Sequence, residues 1–332
     1  MILLLAALLL GADPAAPPPK TPRASRWLEF PGKGPASMDY LAFDPARHQL
    51  WLPAGSRGQV FVLDTAANTF RTVEGFPTRT AGDRTRGPSS ATVGEGVVYV
   101  GNRADSAVCT VDAATLKKRG CVTIPSMPDG VVYVPTTREV WVTTPESNNV
   151  TVLSVAKPDA PALAKTVSTD GQPEGYAVDP QAGVFYTNLE DMDRTLAFDV
   201  KSRKRIATYS PECGAGGPRG LALDAEHHRL FVACTDGART LDLAHGGTVT
   251  GRLKTGGGVD NIDYDRGAHQ LLVASGRDGA LVLAAVDDGG GLTEVGTLAT
   301  GAGARCVVAG DRGAAYVPDA RGGRLMVVAP KQ

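Results

Sequence analysis

The chain has 332 residues, of which 42% are hydrophobic and 21% are charged, so it can bury a large core as one all-β domain or as two smaller domains. Its 34 basic and 35 acidic residues give a formal net charge of −1 without an extended basic stripe, which argues against a nucleic-acid partner. No run of 18 apolar residues follows residue 12, so we predict no membrane span.

The first residues have the pattern of an export signal. Ile2 to Leu10 form a short apolar core, and Gly11 and Ala12 supply small residues for cleavage. We therefore predict a signal peptide over residues 1–12 and a periplasmic or secreted protein. Residues 13–25 are rich in Pro and Ala and predict an extended tether, which leaves residues 26–330 as a single folded domain.

A repeated unit of 40–50 residues follows the tether. Each clear copy has an apolar strand that ends in Asp, a polar turn, a second apolar strand, a Gly-, Asp- or Asn-containing turn, and a third strand of alternating pattern; the strand-ending acids are Asp44, Asp179, Asp224 and Asp265. Three weaker copies bring the number to seven. The residue five positions before the strand-ending acid, or its equivalent, marks each copy; these marker residues are Asp39, Ser89, Asp129, Glu174, Arg219, Asp260 and Arg305.

This period, with several strands in each unit, is typical of β-propeller blades. The alternating, Val- and Tyr-rich pattern and the frequent Gly and Pro argue against helical repeats. The last copy ends after its third strand, GRLMVVAP, whereas a further strand, RWLEFPG at residues 26–32, precedes the first copy. We therefore predict an all-β, seven-bladed propeller with four-stranded antiparallel blades. The N-terminal strand would close the ring by joining the last blade, and we expect a monomer.

Two phrases, VYVGNRADSAVCTVD and VFYTNLEDMDRTLAFDV, resemble the YVTN-type repeat of seven-bladed propellers. The blade that begins PRGLALD is similar to copies in bacterial exported members of that family. The resemblance covers about residues 26–330 and implies the same fold, with a binding or surface role rather than an assigned reaction. The Thr-Asn pair of the repeat is complete only at Thr187-Asn188, so an asparagine-based site does not carry over.

The innermost strand of each propeller blade runs along the central channel, so residues just before it line one end of the channel, which we call the mouth. All seven marker residues are therefore candidate ligand-binding residues. Three explanations stay open. The arginines could pair with the acids as an electrostatic plug, they could bind an anionic ligand, or the polar residues could be ordinary turn formers. Asp263 is a further channel-facing or turn-stabilising group.

A second resemblance concerns the turns PDG, PEG and VDN, which are similar to metal-binding turns of the six-bladed gluconolactonase and regucalcin-like propellers. It implies that Asp129, Glu174 and Asp260, together with Asp39, would bind Ca²⁺ or Zn²⁺. The function would then be that of a metal-dependent lactonase-like hydrolase. The blade number of seven, the missing asparagine ligands and the two arginines differ from that pattern.

Five cysteines suit an exported protein. Cys109 and Cys121 flank a hairpin connection and would face each other across it, and Cys213 and Cys234 form the second predicted disulfide. Cys306 is left over, and the alternative is that all five are buried free thiols.

The histidines give no metal-ligand spacing, and four of them fall in turns on the face opposite to the mouth: His48, His227, His228 and His269. No nucleophile elbow or phosphate loop is present. The leading hypothesis is therefore an exported module, without a cofactor, that binds a small molecule or a protein at a charged mouth. The alternative is the metal-dependent hydrolase, and a quinone-dependent redox role ranks third because no residue pattern demands it.

Overall fold

The computed structural model describes residues 23–330, and all regular structure in this range is β-strand or single-turn 3-10 helix. The strands form seven four-stranded antiparallel sheets and one two-stranded hairpin. This confirms the predicted propeller and its number of blades. None of the described helices is long and apolar enough to cross a membrane. The predicted signal peptide and nearly all of the tether lie outside the described residues.

The strands follow the predicted repeat in chain order, and β1 (Ser25–Glu29) comes first. Blade 1 contains β2 (Ala42–Asp44), β3 (Gln49–Ala54), β4 (Gln59–Asp64) and β5 (Thr69–Val73). A hairpin of β6 (Arg79–Ala81) and β7 (Arg84–Arg86) is inserted next. Blade 2 contains β8 (Pro88–Gly94), β9 (Val97–Asn102), β10 (Ala107–Asp112) and β11 (Lys118–Thr123). Blade 3 contains β12 (Val131–Val134), β13 (Glu139–Thr144), β14 (Asn149–Ser154) and β15 (Ala162–Ser168).

The second half of the chain continues the same order. Blade 4 contains β16 (Pro173–Asp179), β17 (Val184–Leu189), β18 (Arg194–Asp199) and β19 (Arg205–Tyr209). Blade 5 contains β20 (Pro218–Asp224), β21 (Arg229–Cys234), β22 (Gly237–Asp242) and β23 (Thr248–Lys254). Blade 6 contains β24 (Val259–Asp265), β25 (Gln270–Ser275), β26 (Ala280–Val286) and β27 (Leu292–Ala299). Blade 7 contains β28 (Val308–Ala309), β29 (Ala315–Asp319), β30 (Arg324–Val328) and β1.

Five single-turn 3-10 helices connect these strands at Gly55–Arg57, Pro145–Ser147, Gly214–Gly216, Leu243–His245 and Asp311–Gly313. The inner strands of neighbouring blades are in contact all the way round, and β28 contacts β2, so the ring is closed. The strand-ending acids stabilise the turns that follow them. For example, Asp44 accepts from the backbone N–H of Ala46 at 3.0 Å, and Asp179 accepts from that of Ala182 at 2.8 Å.

The core is divided into seven apolar clusters, one between each pair of adjacent blades. Successive strand residues point to opposite faces of a sheet, so a strand between two neighbours is buried on both faces and has a nearly continuous apolar sequence. In β3, Leu50 packs towards blade 7 and Trp51 towards blade 2. Trp141 of blade 3 contacts Phe185 of blade 4 with ring centroids 4.9 Å apart. The aromatic residues of the second strands therefore pack between blades.

The N-terminal strand closes the ring, as predicted. β1 pairs antiparallel with β30, from Ser25 opposite Val328 to Glu29 opposite Arg324. Arg23, just before it, is buried and donates from Nε to the carbonyl of Ala329 at 2.6 Å. The same guanidinium lies 4.0 Å from the Asp265 carboxylate of blade 6, so the segment joins both blades.

Both predicted cysteine pairs lie at disulfide distance. Cys109 and Cys121 are directly opposite each other on β10 and β11, and Cys213 joins the loop before β20 to Cys234 at the end of β21. Loops of this length give a stabilisation of about 3 kcal/mol for each bridge. Cys306 is a buried free thiol.

Candidate functional site

The marker residues lie at the starts of the inner strands, and the structure brings most of them into one electrostatic network. Asp39, Asp129, Asp260 and Arg305 are connected by ion pairs. Arg219 pairs with an acid outside the predicted set. Within residues 23–330, Ser89 and Glu174 make no side-chain hydrogen bond, although Glu174 is electrostatically coupled to the same acids.

Arg103, which the sequence did not single out, holds the first part of this network together. Its Nη2 atom donates to Oδ2 of Asp39 at 2.8 Å and also to Oδ1 of Asp129. Nε of the same side chain donates to the carbonyl of Pro128 at 3.3 Å. Arg103 belongs to blade 2, so one guanidinium links the acids of blades 1 and 3 across its own blade.

Arg305 holds the other part of the network. Its Nη1 atom lies 2.7 Å from Oδ2 of Asp260, and its Nη2 atom lies 3.5 Å from Oδ2 of Asp39. These two carboxylates raise the pKa of Arg305, so the guanidinium stays charged. Asp39 additionally accepts from Nδ2 of Asn261 at 3.4 Å. Asp39 is therefore the central acid of the network, with contacts to blades 2, 6 and 7.

Arg219 contacts Glu190, which follows β17. Arg103 and Glu190 occupy equivalent positions, because each is the first residue after the second strand of its blade. The loop at this position opens on the same face as the marker residues. A charged residue there is a sequence signal that could have revealed both side chains.

The channel next to this network is closed by two aromatic rings. Tyr40 of blade 1 and Tyr176 of blade 4 have ring centroids 5.2 Å apart at an interplanar angle of 32°. Burial and the carboxylates of Glu174, Asp39 and Asp260 raise the pKa of Tyr40, so the pair adjoins the acids of the mouth. The site is thus a charged rim beside an aromatic floor.

Burial also changes the acids themselves. Burial, with the nearby carboxylates of Asp260 and Asp39, raises the pKa of Glu174 to about 8. Burial raises the pKa of Asp260 to about 6, against the opposing effect of Arg305. At neutral pH the rim therefore contains a largely protonated Glu174 beside the arginine-paired carboxyl groups.

Asp263 lies on the inner strand β24, as predicted. Its Oδ2 atom accepts from the backbone N–H of Ala309 in blade 7 at 2.8 Å, and Oδ1 accepts from that of Tyr264, also at 2.8 Å. Burial raises its pKa to about 6. Asp263 therefore ties two inner strands together.

Glycine follows three of the marker residues for a packing reason. A Cβ on Gly175 would lie 2.3 Å from the Arg219 carbonyl, and one on Gly130 would lie 2.4 Å from the ring of Tyr176. A Cβ on Gly220 would lie 2.7 Å from Oδ1 of Asn261. These glycines allow neighbouring inner strands to approach closely, which accounts for the PDG and PEG turns without a bound ion.

One group in the described part of the chain could hold a metal ion. Asp39, Asp260 and Cys306 each offer a ligand atom within 4.8 Å of the others. Of the ligand set Asp129, Glu174, Asp260 and Asp39 implied by the gluconolactonase resemblance, this group contains Asp260 and Asp39. Arg305 contacts both of its carboxylates, and burial raises the pKa of the Cys306 thiol, so both features oppose cation binding.

The opposite face has a groove of about 760 Å³ between blades 6 and 7, lined by residues such as Tyr264, Arg266, His269 and Arg312. Asp265, which also lines it, lies against the buried Arg23 of the N-terminal segment. His269 and the other three turn histidines are exposed on this face, as predicted. We interpret the groove as part of the region where the N-terminal segment closes the ring.

Solved structures share this fold over nearly the whole chain. A chain from the crystal structure of a mitotic checkpoint complex matches with a TM-score of 0.77 and 13% identity over 100% of both chains. Hydrazine synthase of Kuenenia stuttgartiensis matches with a TM-score of 0.74 and 15% identity over 97% of this chain and 98% of that chain. A streptogramin B lyase matches with a TM-score of 0.71 and 11% identity over 92% and 98%.

At these identities the likeness shows the β-propeller fold alone, because one fold serves many functions. No protein-family model and no curated protein matches the chain.

Proposed function

We propose that this protein is an exported, YVTN-type propeller that binds a small polar ligand at the mouth without catalysing a reaction. Residues 1–12 would act as the signal peptide and residues 13–25 as the tether of a monomer in the periplasm or outside the cell. The two disulfide-distance pairs support an oxidising compartment.

The observation that carries the binding proposal is the convergence of charged side chains from many blades on the closed end of one channel. Charged side chains of blades 1, 2, 3, 6 and 7 meet in one network beside the Tyr40–Tyr176 floor. Bringing carboxylates together is unfavourable for folding unless opposite charges compensate them. Acids with perturbed pKa values cluster at functional sites. Some polar atoms there, such as Oγ of Ser89, also have no hydrogen-bond partner among the described residues.

The test is a calorimetric screen of the purified protein against alkyl amines, alkyl carboxylates and polyols. We expect a compound whose affinity changes in Arg305→Ala but not in Arg266→Ala, an exposed arginine on the opposite face. The proposal is wrong if no compound shows binding that depends on the mouth.

A metal-dependent hydrolase is the second candidate, supported by the proximity of Asp39, Asp260 and Cys306. Metal analysis of the purified protein, with lactone turnover before and after EDTA, separates the two functions. Stoichiometric Ca²⁺ or Zn²⁺ that is lost together with activity would favour the hydrolase.

A further inference from the structure

Several polar groups at the mouth have no hydrogen-bond partner among the described residues, and each of them can accept a hydrogen bond. Asp129 is 6% exposed, and its Oδ2 atom makes no hydrogen bond with the described residues, although Oδ1 of the same carboxylate accepts from Arg103. Ser89 is also 6% exposed, and its Oγ has no partner there. Glu174 has neither a hydrogen bond nor an ion pair within residues 23–330. Buried polar atoms are normally hydrogen-bonded, so Oδ2 of Asp129, which can only accept when the carboxyl is ionised, indicates a ligand that donates, and Oγ of Ser89 can accept from the same ligand.

The charge balance points in the same direction. The three guanidinium groups of the mouth, those of Arg103, Arg219 and Arg305, are all engaged by acids. Five carboxyl groups face them, those of Asp39, Asp129, Glu174, Glu190 and Asp260. With all five acids ionised, the acids exceed the arginines by two, and with Glu174 protonated they exceed them by one, so in both states the network has an excess of negative charge.

The floor of the mouth suits a cation as well. Tyrosine rings attract ammonium groups through the negative face of the π-system, and such sites combine aromatic rings with carboxylates. Tyr40 and Tyr176 supply two rings beside the acids. An anionic ligand would instead meet carboxylates that already pair with the three arginines.

We propose that the mouth binds a primary alkylammonium group, with Oδ2 of Asp129 as a hydrogen-bond acceptor and with Glu174, which ionises as the cation binds, as its counter-ion. This inference rests on the proposed function, because it specifies the ligand class of the same site. The ammonium group can belong to a free amine or to a lysine side chain, and both sources present the same three donors.

Isothermal titration calorimetry of the EDTA-dialysed protein at low salt tests the proposal. The probe is n-butylammonium, and the matched probes without the cation are 1-butanol and butyrate. We expect a Kd of about 1 mM or tighter for the amine, as a ligand of this size allows, and no binding of the other two. Nα-acetyl-lysine amide is measured in parallel. If it binds and n-butylammonium does not, the ammonium group belongs to a lysine side chain rather than to a free amine.

Glu174→Gln and Asp129→Asn keep the shape of each side chain and should each weaken amine binding at least tenfold. Glu226→Gln, an exposed acid in a turn on the opposite face, is the matched control and should leave affinity unchanged. Circular dichroism and melting curves establish that each variant is folded.

Equal affinity in the parent and in both folded mouth variants would overturn the ammonium proposal, and so would the absence of amine binding at 10-fold above the expected Kd. If butyrate or a neutral compound binds and Arg305→Ala weakens it, the ammonium proposal fails but the proposed binding function stands. If no probe of any class responds to a mouth variant, both fail.

Discussion

Tyr40 and Tyr176 are contributed by blades three positions apart in a ring of seven, so their contact spans the central axis. This contact lies beside the acids of the mouth, so the two rings form an aromatic floor across the axis. The two rings also connect blades that share no cluster of the apolar core.

We expect Tyr40→Ala and Tyr176→Ala to be non-additive. An aromatic pair contributes about 0.5–1.5 kcal/mol beyond its buried area, so the double variant should lose less stability than the sum of the two single variants by about that amount. Urea denaturation of the parent and the three variants measures the coupling. Tyr40→Ala combined with Tyr209→Ala, on the outer strand β19, is the control and should be additive. A coupling near zero for Tyr40 and Tyr176 would show that the floor is not a single unit.

Glu174 makes the stability of the protein depend on pH. Its pKa is raised in the folded state to about 8, so the folded chain keeps a proton that the unfolded chain releases above its ordinary value of 4.5. The stability linked to this group is complete below about pH 4.5 and is lost as pH rises through about 8. Gln cannot ionise, so Glu174→Gln removes this loss of stability. Its melting temperature should match that of the parent at pH 5 and be higher than that of the parent at pH 9.

Differential scanning calorimetry at pH 5, 7 and 9 checks this prediction, with Glu226→Gln as the control that should follow the parent. A gain of about 1 kcal/mol corresponds to about 2–4 °C, so a difference of that size at pH 9 is expected. The pKa values of Asp260 and Asp263 are raised to about 6, so these groups account for a loss of stability at lower pH than Glu174 does. The Glu174→Gln variant should show that loss as well. Identical melting of Glu174→Gln and the parent at pH 9 would mean that Glu174 is an ordinary solvated acid.

The glycine of the PEG turn should be intolerant to substitution for a reason unrelated to ligands. A methyl group on Gly175 would meet the Arg219 carbonyl of the neighbouring inner strand at 2.3 Å, and backbone atoms cannot move aside cheaply. Gly175→Ala should therefore destabilise the protein by roughly 1–3 kcal/mol. Gly267→Ala, where the nearest atom is Oδ1 of Asp265 at 3.6 Å, is the control and should be close to neutral. Chemical denaturation compares the two, and equal stability would remove the packing explanation.

The blades were predictable from the sequence because their signals are local. Alternation of apolar residues, the turn residues after Asp44 and Asp179, and the period of the repeat all act within one blade. The marker residues followed from the same register. The partners of these residues were not predictable, since Arg103, Glu190 and Tyr176 meet Asp39, Arg219 and Tyr40 across blades. Such contacts depend on how the ring closes and on rotamers that a period does not encode.

The N-terminal segment should be essential for stability. Deletion of residues 24–32 removes β1, which leaves β30 as an exposed edge strand. It also removes Phe30, which is buried with its ring 5.4 Å from that of Phe61, and Trp27, which lies under the guanidinium of Arg324. Loss of a buried Phe side chain alone costs about 3–5 kcal/mol. We therefore expect the melting temperature to fall by roughly 10 °C or more.

Thermal melts of the deletion and of a shorter truncation that ends before Arg23 test this expectation, and the shorter truncation should match the parent. Phe30→Ala, which keeps the strand pairing, should lie between the two because it removes the core contact but not the edge protection. A deletion variant that melts within a degree or two of the parent would refute the role of β1 as the ring closure, since an open seventh blade would then be as stable as a closed one.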